Sequence, residues 1–211
     1  MARAPARGRS VRRAAASPPI ASSTDALRQH GTDSWKKPNI HSQFNKAEGV
    51  TSLGMTLLPF KSKIKGPAPP AADGADDIID EAIMLFRANV LFASFDVEGP
   101  ADRVLVYATL YISQCLTRLD AKGKNKAEGL KIMIDLAREG FALPGEPGWM
   151  LGGHFPTPKS RAEADQARAY LKHFREELGT RLVEAVYNAD GTPNKFWLAF
   201  SKRKFMNIPV S

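Results

Sequence analysis

The sequence contains a single cysteine, Cys115, among its 211 residues. One cysteine excludes an intramolecular disulfide and fits a reducing compartment. Long apolar runs are also missing, since none reaches the roughly 18 residues that a membrane-spanning helix needs. Charge is uneven: residues 1–37 carry +6, whereas the remaining 174 residues carry only +2. The larger part of the chain is therefore close to neutral, which gives little reason to expect nucleic-acid binding there.

The N-terminal residues 1–37 are rich in Ala, Arg, Ser and Pro and poor in large apolar side chains. This composition predicts a disordered basic tail, because too little surface is buried to offset the entropy of ordering. An Arg-rich, acid-poor start also resembles an organelle transit peptide, and an upstream start codon in the gene is a further alternative. The composition leaves these alternatives open. A secretory signal is not expected, because no continuous apolar segment follows the charges.

Patterns typical of catalysis or metal binding are scarce. The four histidines, at positions 30, 41, 154 and 173, show no metal-ligand spacing, and no glycine loop for phosphate is present. We expect His173 to be an exposed helix residue and Cys115 to be a buried core residue rather than a nucleophile. The acids of DDIIDE (76–81) suit the start of a helix, with a metal or acid–base role as the less favoured alternative. The residues thus predict a protein without enzymatic activity, metal or cofactor.

The segment at 104–119, VLVYATLYISQCLTRL, predicts the centre of the fold. On a helix its first turns are apolar in every direction, which requires burial on all sides. Gly99-Pro100 suits the start of this helix and Gly123 its end. We therefore predict an all-α fold, a compact multi-helix domain whose central helix, at about 101–121, is surrounded by the others.

Helical spacing of apolar residues predicts four further helices, at about 76–93, 125–139, 160–187 and 193–207. The helix at 160–187 is the clearest, because Ser160 and Glu163 form a capping box, although Gly179 costs about 1 kcal/mol relative to alanine. The last helix is expected to point four aromatic residues inward and four basic residues outward. These are Phe196, Trp197, Phe200 and Phe205, and Lys195, Lys202, Arg203 and Lys204.

The residues before the first helix predict an extended arm. Leu53, Met55 and Leu57 alternate like one face of a strand, and a Pro-rich linker follows at 65–74. We expect this arm to lie across the helices without a regular sheet. The predicted organisation is a basic tail at 1–37 and a domain at 38–211, divided into an extended arm at 38–74 and a helical core at 75–211.

Three features are typical of a protein that binds other proteins. Two apolar residues lie one heptad apart on the side of the first helix that faces away from its main stripe, where they either form core in a thick bundle or meet a partner chain. A long Gly/Pro loop at 141–159 carries a tryptophan that either anchors the loop, the favoured reading, or acts as an interface hot spot. A basic cluster near the C-terminus is either a solvated face or a dock for an acidic protein surface. The candidate interface residues are Met84, Leu91, Pro144, Trp149, Lys202, Arg203 and Lys204.

Long blocks of the sequence resemble subunit 3, the 21-kDa subunit, of the actin-related protein 2/3 complex. The resemblance begins near Ile40 and covers the chain almost to its end, while residues 1–37 lie outside it. The blocks that carry it are LLPFKSKIKGPAP (57–69), DIIDEAI (77–83), FRANVLF (86–92), ADRVLVYATLYISQCL (101–116), LPGEPGW (143–149), RAYLKHFREELGTRL (168–182) and KFWLAFSKRKFMN (195–207). Because the blocks are long, unusual and in the same order, chance agreement is negligible.

The resemblance implies a small all-helical fold and a non-catalytic structural subunit of a seven-protein assembly that nucleates branched actin filaments. It implies actin-related protein 3 as the main neighbour, the other subunits and actin filaments as further partners, and no nucleotide or other cofactor. The implied location is the cytoplasm and cytoskeleton, at the actin cortex and cell projections. Two alternatives remain: a helical adaptor that binds nucleic acid or an acidic partner through its Arg-rich tail, and an enzyme that uses Cys115 or the acids of 76–81.

Overall fold

The computed structural model describes residues 39–72 and 74–210, so the predictions for the tail at 1–37 fall outside the described residues. The described chain is mostly helical. Its elements are β1 (Thr51–Ser52), β2 (Met55–Thr56), α1 (Ile78–Asn89), α2 (Pro100–Lys122), α3 (Lys126–Arg138), α4 (Arg161–Val186) and α5 (Lys195–Leu198), with short 3-10 helices at Gln43–Lys46, Gly152–His154 and Phe205–Asn207. None of these helices is long and apolar enough to cross a membrane.

Helix α2 is the central element, as its apolar sequence predicts. It packs against each of the four other α-helices, and 15 of its 23 residues are buried. Pro100 occupies its first turn, and Gly123 ends it by donating its N–H to the carbonyl of Leu119 at 2.7 Å. Cys115 is buried on this helix, and burial raises the pKa of its thiol to about 12. The thiol is therefore protonated at neutral pH, in line with a core residue.

Polar side chains at the helix starts fix the bounds of α1, α3 and α4. Asp77 forms a capping box with Asp80 at α1, Asn125 accepts the Glu128 N–H at α3, and Ser160 accepts the Glu163 N–H at α4. The carboxylate of Glu163 bonds to the N–H groups of Lys159 and Leu53 instead of Ser160. Helix α1 is also shorter at both ends than the predicted 76–93.

Gly179 allows α3 and α4 to approach each other closely. A Cβ atom at this position would lie 3.2 Å from the Cβ of Met133 on α3. That distance is tighter than ordinary van der Waals contact, so a larger residue here would push the two helices apart. The free-energy cost of a glycine within a helix is thus offset by the close packing of α3 and α4. The sequence alone did not indicate this packing.

The arm corrects the expectation of an all-α fold without a sheet. Strands β1 and β2 form an antiparallel pair in which Thr51 lies opposite Thr56 and Ser52 opposite Met55. Leu53 and Gly54 connect them with φ angles of 52° and 70°. Positive φ at both central residues is the geometry of the tight hairpin turn that matches strand twist. Because the chain reverses here, the alternating apolar residues belong to a hairpin and not to one continuous strand.

The arm also corrects the expectation that His173 is exposed. This residue on α4 is 5% exposed, because Gly66 and its neighbours lie directly over its ring. The Nε2 atom of His173 is 3.1 Å from the hydroxyl of Ser62 and 3.0 Å from the carbonyl of Ile64, and its ring packs on Phe60. The part of α4 around His173 is therefore covered by the arm, although the sequence predicts that it is solvated.

The predicted last helix, at 193–207, is wrong in length. Helix α5 ends at Leu198, and the chain then turns so that the Ser201 hydroxyl donates to Asp120 on α2 at 2.8 Å. Further on, Met206 has a φ of 51°, which a continuous α-helix does not allow. Phe196 is 81% exposed and not inward, whereas Phe205 is buried as expected.

Candidate protein interface

Large apolar side chains are exposed on α1, just after its C-terminus, and on α5. Met84 is 58% exposed, Leu91 is 59% exposed, and Phe196 is 81% exposed. Each of them lies beside residues that are packed into the core, such as Phe86 on α1. Contiguous exposed apolar groups mark sites of protein association more often than scattered ones do, so the placement of the elements that carry these residues matters.

Aromatic packing brings the C-terminal segment, residues 187–210, alongside α1. The ring of Trp197 stacks on Phe86 with centroids 6.1 Å apart, and Phe200 contacts the same ring edge-on at 6.2 Å. The guanidinium of Arg87 lies 5.4 Å from the centre of the Trp197 ring. At the end of α1 the N–H of Met206 donates to the carbonyl of Phe92 at 3.0 Å. Two of the three elements predicted to bind a partner are thus neighbours.

We call the exposed residues of these two elements the α1/C-terminal surface: Met84, Leu91, Phe196, Lys202, Arg203 and Lys204. The three basic residues are all exposed. Within the described part of the chain, none of them takes part in an ion pair. The surface therefore combines apolar groups with positive charge that is not neutralised locally.

A shallow groove of about 560 Å³ runs between α1 and α4 at the edge of this surface. Its apolar wall is formed by Ile83, Met84 and Ala185. Its polar wall is formed by Arg181 and Glu184, together with two aspartates at the start of α1. The groove therefore places apolar residues of α1 next to charged residues, and protein interfaces likewise have an apolar centre with a polar rim.

The Gly/Pro loop lies on a different side of α2. Trp149 stacks on Tyr107 with centroids 6.5 Å apart and meets Phe155 edge-on at 5.2 Å, which favours its role as an anchor of the loop. The C-terminal segment instead contacts Thr117 and Asp120 of α2. At about 100° per residue, Tyr107 with Tyr111 and Thr117 with Asp120 point roughly 130° apart. Pro144 is buried within the chain, so it does not belong to an exposed surface.

The acids at the start of α1 are used to hold the arm and α4. Arg181 on α4 donates to Asp77 at 2.8 Å, to Asp80 at 3.0 Å and to Glu177 at 2.8 Å. The same guanidinium bonds to the carbonyl of Lys61 in the arm. Burial opposes ionisation of Asp80, but hydrogen bonds from Lys61 and Asp77 and the charge of Arg181 outweigh it and lower its pKa. This arrangement favours the structural role over the metal or acid–base role.

Two further buried carboxylates hold the start of the arm. Glu81 accepts the Ser42 hydroxyl at 2.6 Å and the Gln43 N–H at 2.8 Å, and Asp102 accepts the Ser42 N–H and a ring nitrogen of His41, both at 2.8 Å. Burial raises the pKa of Glu81 despite its hydrogen bonds. Burial acts the same way on Asp102, but its hydrogen bonds outweigh it and lower the pKa. Each carboxylate therefore holds the start of the arm against the helices.

In the described ranges, no cluster of three or more His, Cys, Asp or Glu side chains is placed to hold a metal ion. His154 ends a 3-10 helix, and its carbonyl accepts a hydrogen bond from Arg103 at 2.8 Å. His41 and His173 are held by the arm contacts described above.

Sequence reasoning missed some of the exposed apolar residues. Phe196 and Trp197 are neighbours, and adjacent helix residues point about 100° apart, so both cannot face the core equally. The adjacent positions of Phe196 and Trp197 were therefore the sequence signal that one of the two is exposed. Leu130 and Ile134 on α3 are also exposed, at 38% and 37%. No sequence signal separates them from the core residues of the same helix.

Comparison with known proteins agrees with the resemblance. The family model described as P21-Arc, the ARP2/3 complex ARPC3 (21 kDa) subunit, matches residues 37–209. A protein named actin-related protein 2/3 complex subunit 3 from Arabidopsis thaliana is 51% identical over 171 residues, which is 81% of this chain and 98% of the relative. Proteins of the same name are 46% identical in Dictyostelium discoideum, over 79% of this chain and 97% of the relative, and 44% identical in Schizosaccharomyces pombe, over 81% and 98%.

Proposed function

Because the chain belongs to the family of the 21-kDa subunit of the ARP2/3 complex, we propose that it is a non-catalytic structural subunit of that complex. In this role it contributes to assembly of the complex and thereby to nucleation of branched actin filaments. Its main neighbour is actin-related protein 3, and its location is the cytoskeleton, at the actin cortex and in cell projections. The relatives carry the name of the complex, and this chain matches them over nearly their whole length.

The observation that carries the proposal is the α1/C-terminal surface. Met84, Leu91 and Phe196 expose apolar area that no other part of the described chain covers. Protein interfaces have an apolar centre and a polar rim, and the adjoining basic cluster supplies such a rim. Positive charge at the rim suits a partner with an acidic surface, as expected for an actin-like protein. Trp149 is an anchor of its own loop and is left out of this surface, as is the buried Pro144.

The alternative hypotheses have less support. The family match begins at residue 37 and leaves the Arg-rich tail out, so the comparisons do not support an adaptor that binds nucleic acid or an acidic partner through that tail. A nucleophilic role for Cys115 is disfavoured by complete burial and by a thiol pKa of about 12. Of the acids at 76–81, Asp77 and Asp80 are engaged with Arg181, and Glu81 is engaged with Ser42 and Gln43.

The test is affinity purification of the full chain from its own cells, with two matched double variants. Met84→Asp with Leu91→Asp places charge on the proposed surface. Leu130→Asp with Ile134→Asp places the same charge on α3, where the side chains are also exposed. We expect the first variant to recover the other subunits at least about tenfold less efficiently, because charge buried in the centre of an interface costs about 2 kcal/mol or more.

The α3 variant is expected to recover both actin-related proteins and the other subunits as the unmodified chain does. Full recovery by the α1 variant would remove this surface from the interface. Recovery of the unmodified chain alone, without either actin-related protein, would contradict the proposed function itself.

A further inference from the structure

A second concave site lies between α2, α4 and the Gly/Pro loop. The cavity has a volume of about 310 Å³ and is lined by aromatic side chains, including Tyr107, Tyr111, Phe141 and Trp149. Pockets for small ligands have volumes of about 300–1,000 Å³ and mostly apolar walls with a few polar groups. This cavity is at the lower end of that range, so it suits one side chain or a small molecule and not a nucleotide.

The cation that lines this cavity has no counter-charge. Arg175 on α4 is 3% exposed, and its guanidinium lies between the rings of Tyr111 and Phe141, 4.6 Å from the centre of each. One terminal nitrogen donates to the carbonyl of Leu136 at 2.8 Å, but the Nε atom is buried and has no hydrogen-bond partner among the described residues. Across residues 39–72 and 74–210, no carboxylate forms an ion pair with Arg175.

The other deeply placed arginine of α4 shows how unusual this is. Arg181 is bonded to Asp77, Asp80 and Glu177, so its charge is fully compensated. A buried charge without a partner is costly, and the cost is recovered when an anion with good geometry binds to it. Arg175 is therefore arranged as the cationic half of an ion pair.

The cavity also has uncharged polar groups, among them the side chains of Gln114 and Tyr111. The Tyr111 hydroxyl is buried and makes no hydrogen bond of standard geometry within the described residues. Burial raises the pKa of Tyr111 above its usual value and raises that of Tyr107 to about 12. Both phenols therefore keep their protons at neutral pH. A planar acceptor with two oxygens is the group that matches a guanidinium edge and a nearby hydroxyl.

We propose that this cavity is a binding site for a single carboxylate carried on an apolar stem. The carboxylate accepts hydrogen bonds from Arg175 and Tyr111, and the stem lies against Phe141 and Trp149. Inorganic phosphate would meet one cation and apolar walls that cannot satisfy its other oxygens. The inference stands on the cavity and does not require the proposed function.

A carboxylate at the edge of the cavity adds a further expectation. Glu139 lines the same cavity, and its side chain is 47% exposed and lies 3.4 Å from Arg118. Its negative charge opposes the entry of another carboxylate. Neutralising it should therefore strengthen binding, whereas neutralising Arg175 should weaken it.

The test is a titration of the full chain, labelled with ¹⁵N-arginine, with phenylacetate. We expect the Arg175 Nε–H resonance to move on binding, since a charge-assisted hydrogen bond forms at that atom. Phenylacetamide, which has the same shape without the charge, should bind at least about tenfold more weakly, and inorganic phosphate should not compete. Equal binding of the amide and the carboxylate would overturn the proposal.

Variants at two arginines of α4 supply the matched control. Arg175→Met should weaken phenylacetate binding at least about tenfold. Arg161→Met should leave it unchanged, because the Arg161 side chain is 94% exposed at the start of the helix and does not line the cavity. Glu139→Gln should tighten binding about twofold. Unchanged phenylacetate affinity of a folded Arg175→Met chain would count against the site, and so would a Glu139→Gln chain that binds phenylacetate no more tightly than the parent. If Arg175→Met does not fold, the Glu139→Gln result decides.

The carboxylate has two sources that the same titration separates. If binding persists when the chain is assembled with its partners, the ligand is a free small carboxylate. If binding is lost on assembly, an acidic side chain of a partner fills the cavity. The comparison with the assembled complex rests on the proposed function, whereas the titration of the full chain alone does not. Failure of the carboxylate site is therefore distinguishable from failure of the proposed function.

Discussion

The N-terminal arm and the C-terminal segment both lie across the helices, but they are attached by different chemistry. The arm, residues 39–74, inserts Leu53, Met55 and Phe60 into the core and is held by buried carboxylates and by Arg181. The C-terminal segment, residues 187–210, is held mainly by aromatic packing and leaves Phe196 and a basic cluster exposed. One segment directs its functional groups inward, and the other directs them outward.

This difference separates stability from recognition. Hydrogen-bonded carboxylates in the interior fix the arm in one position, because each lost partner leaves a buried charge unpaired. Aromatic stacking of Trp197 and Phe200 on Phe86 fixes the C-terminal segment without using its charges. We therefore expect changes in the arm to affect the free energy of unfolding, and changes in the exposed C-terminal residues to affect assembly.

The largest effect is expected from Arg181→Met. The substitution leaves Asp77, whose side chain is 2% exposed, without its cationic partner, and it also removes the bond to Lys61 of the arm. Removing one partner of a buried ion pair costs about 3–5 kcal/mol of unfolding free energy. Urea unfolding of the full chain measures this loss.

The control for this substitution is Arg161→Met on the same helix. The Arg161 side chain is 94% exposed and lies 3.9 Å from Asp165, so its loss should cost less than about 0.5 kcal/mol. Equal losses for the two variants would mean that the arm is not held by its buried ion pairs.

A smaller effect is expected from Gly66→Ala in the arm. The added Cβ would lie 2.2 Å from ring atoms of His173, so the arm or the ring must shift. Overpacking of this kind costs about 1–3 kcal/mol. Gly140→Ala is the matched control, since a Cβ there meets nothing within 4 Å and the residue has no positive φ. A thermal unfolding midpoint that falls as much for Gly140→Ala as for Gly66→Ala would contradict the account of the arm over His173.

These arm contacts mark the limit of what the sequence predicts. Local signals gave the elements that depend on local chemistry: the all-round apolar run of α2, the Ser160 cap of α4 and the buried Cys115. Contacts between residues more than a hundred positions apart gave no local signal. His173 was expected to be exposed because the arm that covers it, near Ser62, lies 111 residues away in the chain.

The same limit applies to the candidate sites. Met84 and Leu91 were found because helical spacing places them opposite the buried stripe, and both are exposed. Arg175 was not found, because a sequence does not show that a charged residue on a helix has aromatic rings on both sides. The length of α5 was also missed, since the positive φ of Met206 and the bond of Ser201 to α2 are tertiary features.

Acid should weaken the arm through Asp102. Its pKa is lowered from the ordinary value of 3.8 because backbone N–H groups of Ser42 and Glu98 outweigh the effect of burial. The folded state therefore favours the ionised form, and this stabilisation is present above about pH 4 and lost as the pH falls through the lowered pKa. The pKa of Glu81 is raised by burial, so its contribution has the opposite sign and declines as the pH rises above its ordinary value of 4.5.

Asp102→Asn separates these two contributions. The variant should unfold at lower urea than the parent at pH 7, and its stability should fall less steeply between about pH 4 and pH 2, because the group that loses its charge there is gone. Unfolding by urea at pH 7, 5 and 3 gives both results. Parallel pH profiles for the two proteins would show that Asp102 does not contribute to acid sensitivity.

The smallest effect on stability, and the clearest on assembly, is expected from reversing the charge of Lys202, Arg203 and Lys204 together. These side chains are exposed and make no ion pair in the part of the chain described by the structure, so the free energy of unfolding should change by less than about 0.5 kcal/mol. Recovery of the complex should nevertheless fall, and the loss should grow at low salt, where repulsion from an acidic partner is least screened. The matched control reverses three exposed lysines of the arm, Lys46, Lys63 and Lys65. If the arm variant and the C-terminal variant reduce recovery equally, then net charge governs assembly and the contrast between the two segments fails; if the C-terminal variant assembles normally, that segment is not part of the interface.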